Sequence, residues 1–160
     1  MTDKKKASKA LRSKTNADSR AELIARLNED LAGEYQAILS YVIYSQAIKG
    51  AAYMTIAKEL EVHAAEELRH ALTVAAQIDH LGGMPTNRIK PVRLSEDPEQ
   101  MLRFDLENEI ETIRNYRERV RQCEALGEFA IAEHLREILM DEQEHAVDLA
   151  MALGIDVPQI

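Results

Sequence analysis

Laid over itself so that Leu27 meets Leu102, this sequence repeats. In the same register Asp30 meets Asp105, Leu31 meets Leu106, Glu34 meets Glu109, Ile38 meets Ile113 and Tyr41 meets Tyr116. Further along, Leu60 meets Leu135, Glu67 meets Glu142, His70 meets His145 and Ala71 meets Ala146. An internal repeat restricts the fold more than composition can, because both copies must adopt the same supersecondary unit. The apolar matches recur at three- and four-residue intervals, which is helical spacing. The repeat therefore predicts two equivalent helical hairpins related by a pseudo-two-fold axis.

The boundaries follow from local chemistry. Ser19-Arg20-Ala21-Glu22 reads as a capping box opening the first helix, and Gly50 as its stop. A second helix is expected from about Ala51 to Leu81, ended by Gly82-Gly83-Met84-Pro85. Pro85, Pro91 and Pro98 keep the next stretch from being one helix. Asp97 is the expected N-cap of the third helix, with Pro98 at its first position, and Gly127 breaks it from the fourth. Gly154 and Pro158 close the fourth. Helices of about 25–30 residues are roughly 40–45 Å long. Short links within each hairpin and about 15 residues between the hairpins predict an all-α, antiparallel four-helix bundle with one long crossover. With 4% aromatics, few glycines and four prolines, the composition argues against a β-sandwich.

Charge divides the chain in two. Residues 1–20 carry seven bases against two acids, a net +5, and the remaining 140 carry 13 bases against 26 acids, a net −13. Residues 1–18 are expected to be a flexible basic tail and 19–160 the bundle. The acidic body suits cations rather than nucleic acid. The single cysteine, Cys123, excludes an intramolecular disulfide and a zinc finger. No apolar run is long enough for a membrane-spanning helix, and the basic N-terminus has no apolar core after it. The expectation is a cytoplasmic protein with no membrane partner.

The matched polar residues occupy stripes that should be buried. Glu34 and Tyr41 follow Leu27 and Leu31, and Glu109 and Tyr116 follow Leu102 and Leu106. Glu67-Leu68-Arg69-His70 and Glu142-Gln143-Glu144-His145 replace apolar residues on the second and fourth helices. The spacing from Glu34 to Glu67 equals that from Glu109 to Glu142. A buried carboxylate costs several kcal/mol unless compensated, and no Lys or Arg shares these stripes. Two divalent ions would balance four carboxylates, and two neutral imidazoles would add nitrogen ligands without charge. Carboxylates with some imidazole and no thiolate suit iron or manganese. Glu-x-x-His places both side chains on one helix face.

With these motifs in place, the chain resembles the ferritin-like superfamily, most closely the bacterioferritins, over roughly residues 20–153. One Glu from each of two helices plus Glu-x-x-His from each of the other two is the ligand pattern of its di-iron bundles. The resemblance implies Glu67 and Glu142 as bridging ligands, Glu34 and Glu109 as terminal carboxylates, and His70 and His145 as terminal imidazoles. It implies that Glu66 and Asp141 orient the histidines, and that Tyr41 stands close to the iron pair. The implied cofactor is two iron ions per chain, with manganese or zinc as substitutes. Haem-binding bacterioferritins carry Met after the first bridging Glu, where this chain has Leu68, so no haem is expected. The stretch after His145 is too short to finish the fourth helix and add the fifth helix of a 24-subunit shell. The basic tail is similar to that of Dps, the DNA-binding protein of starved cells, so a 12-subunit shell is favoured over a 24-mer or a dimer. A hybrid group, Dps-like in assembly with a bacterioferritin-type site, often has a cysteine pair near the metals, which Cys123 alone does not supply.

The function implied is a di-iron ferroxidase that oxidises Fe(II) with O2 or H2O2, storing iron in a hollow homo-oligomer and protecting against oxidative stress. A rubrerythrin-like peroxidase without storage, and a nucleoid protein binding DNA through the Lys-rich tail, are the alternatives. His63, His80 and His134 have no histidine counterparts in the repeat and are expected to be surface or packing residues, with a transient iron site as the other reading. Cys123 is expected in the core. Arg114, Arg117, Arg119 and Arg121 are expected on a solvated face or subunit contact.

Overall fold

The computed structural model describes the backbone of residues 2–160 and the side chains of residues 19–160. The tail expected over residues 1–18 lies outside the residues whose side chains are described. Four α-helices account for the bundle: α1 (Thr2–Ala47), α2 (Met54–His80), α3 (Pro98–Leu126) and α4 (Phe129–Leu153), with no strand among the described residues. Ser19 to Glu22 sit inside α1, so the capping box expected there does not begin a helix. No glycine or proline precedes Gly33 to interrupt it.

The stop signals act as anticipated. Gly50, at φ 120°, turns the chain between the first two helices, and a 3-10 turn at Ala51–Tyr53 precedes α2, which therefore starts later than expected. The ends of α2, α3 and α4 share one device. After each helix a glycine takes a left-handed conformation: Gly82 at φ 85°, Gly127 at 80° and Gly154 at 65°. Paired backbone bonds such as Glu128 N to Cys123 O (2.8 Å) and Gly127 N to Glu124 O (3.0 Å) then satisfy the last carbonyls. At the start of α3, Asp97 accepts a hydrogen bond from Glu99 N at 3.1 Å, with Pro98 following as the first helical residue.

Contacts fix the direction of each helix. Tyr41 meets Glu109, Tyr116 meets Glu34 and Arg119 meets Asp30, so α1 and α3 are antiparallel. His70 meets Asp141, His145 meets Glu66 and His63 meets Asp148, so α2 and α4 are antiparallel as well. The crossover climbs back along α1. Thr86 N donates to Asn28 Oδ1 (2.6 Å), Lys90 N to Ala32 O (3.1 Å), Gln36 Nε2 to Pro91 O (2.5 Å), and the Tyr44 hydroxyl to Arg93 O. These bonds give an extended segment the backbone partners it lacks within itself.

The core has two apolar halves. One gathers Leu23, Leu27, Leu31, Val74, Ile78 and Leu135, and the other Tyr44, Ile56, Leu60, Leu102, Ile113 and Leu149. On α1, α2 and α4 the stripe carboxylates and histidines fall between the two halves. The bundle is thus an apolar cylinder with a polar layer at mid-height.

Candidate metal centre

Each helix delivers part of that layer. Glu34 comes from α1, Glu67 and His70 from α2, Glu109 from α3, and Glu142 and His145 from α4. None is more than 3% exposed. They form two overlapping groups whose ligand atoms lie within 4.8 Å of one another. One holds Glu34, Glu67, His70 and Glu142, and the other Glu67, Glu109, Glu142 and His145. Glu67 and Glu142 belong to both.

Both imidazoles turn Nδ1 inward. His70 Nδ1 lies 3.3 Å from Glu67, 3.2 Å from Glu142 and 3.7 Å from Glu34. His145 Nδ1 lies 3.0 Å from Glu67, 3.4 Å from Glu142 and 3.9 Å from Glu109. Their Nε2 atoms point outward to carboxylates on the opposite hairpin, His70 to Asp141 and His145 to Glu66, each at 3.0 Å. Asp141 and Glu66 therefore fix both rings crosswise, which locks the orientation of the inner nitrogens. The tyrosines repeat the symmetry. Tyr41 donates to Glu109 Oε1 and Tyr116 donates to Glu34 Oε1. Burial pushes both phenols well above their ordinary range, and the neighbouring carboxylates add to the shift, so both remain donors.

The carboxylates divide by environment. Burial, reinforced by the charges of Glu67 and Glu142, raises Glu34 well above the ordinary carboxylate range, and burial with Glu142 does the same for Glu109. Burial also opposes ionisation of Glu67 and Glu142, but the two imidazoles close beside them overcome it and hold these two below the ordinary range. Burial opposes protonation of the histidines, yet the surrounding carboxylates raise both, His145 to about 12. These shifts point to a metal-free layer in which two protonated imidazoles balance two ionised glutamates and the two outer glutamates keep their protons.

That balance leaves polar atoms without partners. Glu34 Oε2, Glu67 Oε1, both oxygens of Glu142 and His145 Nδ1 are buried and make no hydrogen bond. His145 Nδ1 is 3.0 Å from Glu67 Oε1 but not in hydrogen-bond geometry with it. Carboxylate oxygens that converge on a point without bonding one another present lone pairs to something between them, and His145 Nδ1 adds one once it gives up its proton. Glu34, Glu67, Glu109 and Glu142 also line a cavity of about 20 Å3, on the scale of a single water or ion. The donor set and the orphaned atoms fit a pair of hard or borderline divalent ions.

Every residue proposed from the sequence as a ligand, with Tyr41, is in this layer. His80 and His134 are exposed, whereas His63 is 1% exposed and packs against His145 with ring centroids 4.1 Å apart. The i, i+4 spacing to Glu67 is the sequence signal that could have placed His63 on the buried stripe, but its counterpart under the repeat is Ile138. Cys123 is in the core, where burial raises its thiol to about 11. Arg119 corrects the expectation of a solvated basic face. It is 6% exposed and donates to Asp30 at 2.6 Å, while Arg114 and Arg121 are exposed. Buried Asp30 requires a cation, and Arg119 faces it across the α1–α3 interface.

Comparison with known proteins agrees with this geometry. The ferritin-like domain profile matches residues 24–155, and the chain belongs to that family. A bacterioferritin of Streptomyces coelicolor is 30% identical over 125 residues, 78% of this chain and 75% of the relative. A ferritin-like diiron-carboxylate protein of Bacillus anthracis superposes with a TM-score of 0.81 at 35% identity, covering 84% of this chain and 97% of that one. The Desulfovibrio desulfuricans bacterioferritin, whose structure describes a diiron site in different catalytic states, superposes with a TM-score of 0.79 at 26% identity over 87% and 82%. The fold is an all-α four-helix bundle of the ferritin-like kind, and no described helix is long and apolar enough to cross a membrane.

Proposed function

We propose that this chain is a ferroxidase of the bacterioferritin type, taking Fe(II) as substrate at a two-ion centre. The observation that carries the reading is that two four-residue groups share Glu67 and Glu142. Glu34 and His70 would complete one position, and Glu109 and His145 the other. Iron bound there supplies two one-electron donors to a single O2 or H2O2 oxidant. The protein holds its ligands ready for that chemistry. Glu66 and Asp141 orient the two imidazoles, and Tyr116 and Tyr41 each hold one oxygen of an outer glutamate. The apolar halves above and below exclude bulk water and strengthen each electrostatic contact in the layer.

Iron storage in a hollow homo-oligomer extends this reading, as does a role against oxidative stress. Exposed apolar side chains on α1 and α2, among them Leu39, Val42, Ile43, Val62 and Leu72, favour burial against other subunits. Twelve subunits are proposed. Leu68, half exposed on α2, offers no axial ligand, so haem is not proposed. Stopped-flow oxidation of Fe(II) tests the function. Glu67→Ala and Glu142→Ala should each abolish the fast phase, because each removes a ligand common to both positions. Wild-type rates in both variants would refute it.

A further inference from the structure

The two-ion reading leaves one buried, chemically capable side chain unused. His63, one helical turn before Glu67, stacks on His145 with 30° between the ring planes and meets Tyr41 edge-on at 5.2 Å between centroids. Its Nδ1 has no partner, so Nε2 is the ring's only polar outlet. Nε2 lies 3.2 Å from Asp148 Oδ2 and 4.0 Å from Glu59 Oε1. One ligand atom from each of these three residues lies within 4.8 Å of the others. Glu59 and Asp148 also border an open cavity of about 400 Å3, with Ala52, Thr55 and Met151.

We propose that Glu59, His63 and Asp148 form a third divalent-cation site, on the solvent side of the His145 ring, for a first-row ion such as Fe(II), Co(II) or Zn(II). Ligand atoms about 2.1 Å from one ion stand about 3.0 Å apart at right angles and about 3.4 Å apart at the tetrahedral angle. The His63–Asp148 separation falls in that range, and Glu59, on a partly exposed side chain, has the freedom to close the longer distance. Satisfying a buried histidine accounts for one carboxylate at Nε2, and a cation accounts for two. Among the described residues neither Glu59 nor Asp148 forms an ion pair with Lys or Arg; each pairs only with His63.

The site is also asymmetric. The repeat register turns Glu59, His63 and Asp148 into His134, Ile138 and Thr73, and Ile138 is buried in the core. Only the His145 side of the bundle carries the extra ligands, so they are not a by-product of the repeat. The adjoining cavity gives this site access to solvent and places it to take up Fe(II) ahead of oxidation. The inference rests on the ferroxidase reading for that role and for iron as the natural ion, but not for the binding geometry.

Anaerobic titration of metal-free, full-length protein with Co(II) tests it, counting ions by equilibrium dialysis and visible absorption. Wild type should bind three ions per chain. Glu59→Gln/Asp148→Asn should bind two, with affinity for the third reduced at least tenfold. Asp148→Asn alone should show the same loss from one near-isosteric change, with circular dichroism confirming the helices. Two ions in wild type and variant alike would overturn the inference and leave the two-ion centre standing. Three in both would overturn it by placing the third ion elsewhere. One ion in wild type, lost in the variant, would support this site and remove the two-ion reading.

Discussion

Loading the centre with two divalent ions should expel about four protons per chain. In the metal-free layer the imidazoles of His70 and His145 are raised and hold protons, as do the raised carboxyls of Glu34 and Glu109. Glu67 and Glu142 are lowered and ionised. Two positive imidazoles and two negative carboxylates leave the layer neutral. Two bound ions require neutral imidazoles and four ionised carboxylates, which is neutral again. The difference is four protons, or about 5.4 kcal/mol per pH unit at about 1.36 kcal/mol per proton. That is about four powers of ten in the product of the two association constants, roughly a hundredfold for each ion. Anaerobic addition of Zn(II) or Fe(II) to lightly buffered protein at pH 7, with a pH indicator, measures the release. Four protons per two ions support the account. Two or fewer would mean that the imidazoles or the outer carboxyls are unprotonated in the empty layer, and the charge balance described above would be wrong.

Three other outcomes follow from the same contacts. Without metal, stability should fall as pH rises from 7 to 9. The raised imidazoles favour the folded state fully only below their unfolded value of about 6.5 and lose that contribution toward the folded value, about 12 for His145. The raised carboxyls act with the same sign, because the unfolded chain has already released those protons above about 4.3. Denaturant titrations across this range should show the decline in metal-free protein and its absence after loading; a rise in the metal-free protein would contradict it. Tyr41→Phe removes the donor to buried Glu109 and should cost about 1–3 kcal/mol in a urea titration, while weakening one ion more than the other. Gly83→Ala would bring a Cβ to 2.5 Å from Ile24 Cγ2 and should destabilise by about 1–3 kcal/mol, seen as a lower melting temperature.

Much of the layer was legible in the sequence because the chain states it twice. Glu34, Glu67 and His70 could each be misassigned to a solvated face alone, but coincidence with Glu109, Glu142 and His145 in one register removes that freedom. The terminations at Gly82, Gly127 and Gly154 were legible for a local reason, since a left-handed residue after a helix favours glycine. What stayed hidden depends on partners distant in sequence. The crossover was legible as a long non-helical link between the hairpins, but not its path, which is set by bonds to Asn28, Ala32, Gln36 and Tyr44 on α1. Arg119 looked solvated beside three other arginines, and only the α1–α3 interface shows Asp30 waiting for it. Asp105 repeats Asp30 in sequence, yet the position equivalent to Arg119 is Tyr44. His63 read as a surface or packing residue or a transient iron site, because its chemistry depends on Asp148, on a helix distant in sequence.

The central claim is that Glu67 and Glu142 are held in common by two ions. Crystals soaked anaerobically in Fe(II) and measured at the iron absorption edge test it most directly. The account predicts two anomalous peaks within the layer, about 3.5–4 Å apart, with Glu67 and Glu142 each reaching both, His70 Nδ1 on one and His145 Nδ1 on the other, apart from any peak at His63. A single peak in the layer, or two peaks that share neither glutamate, would contradict it.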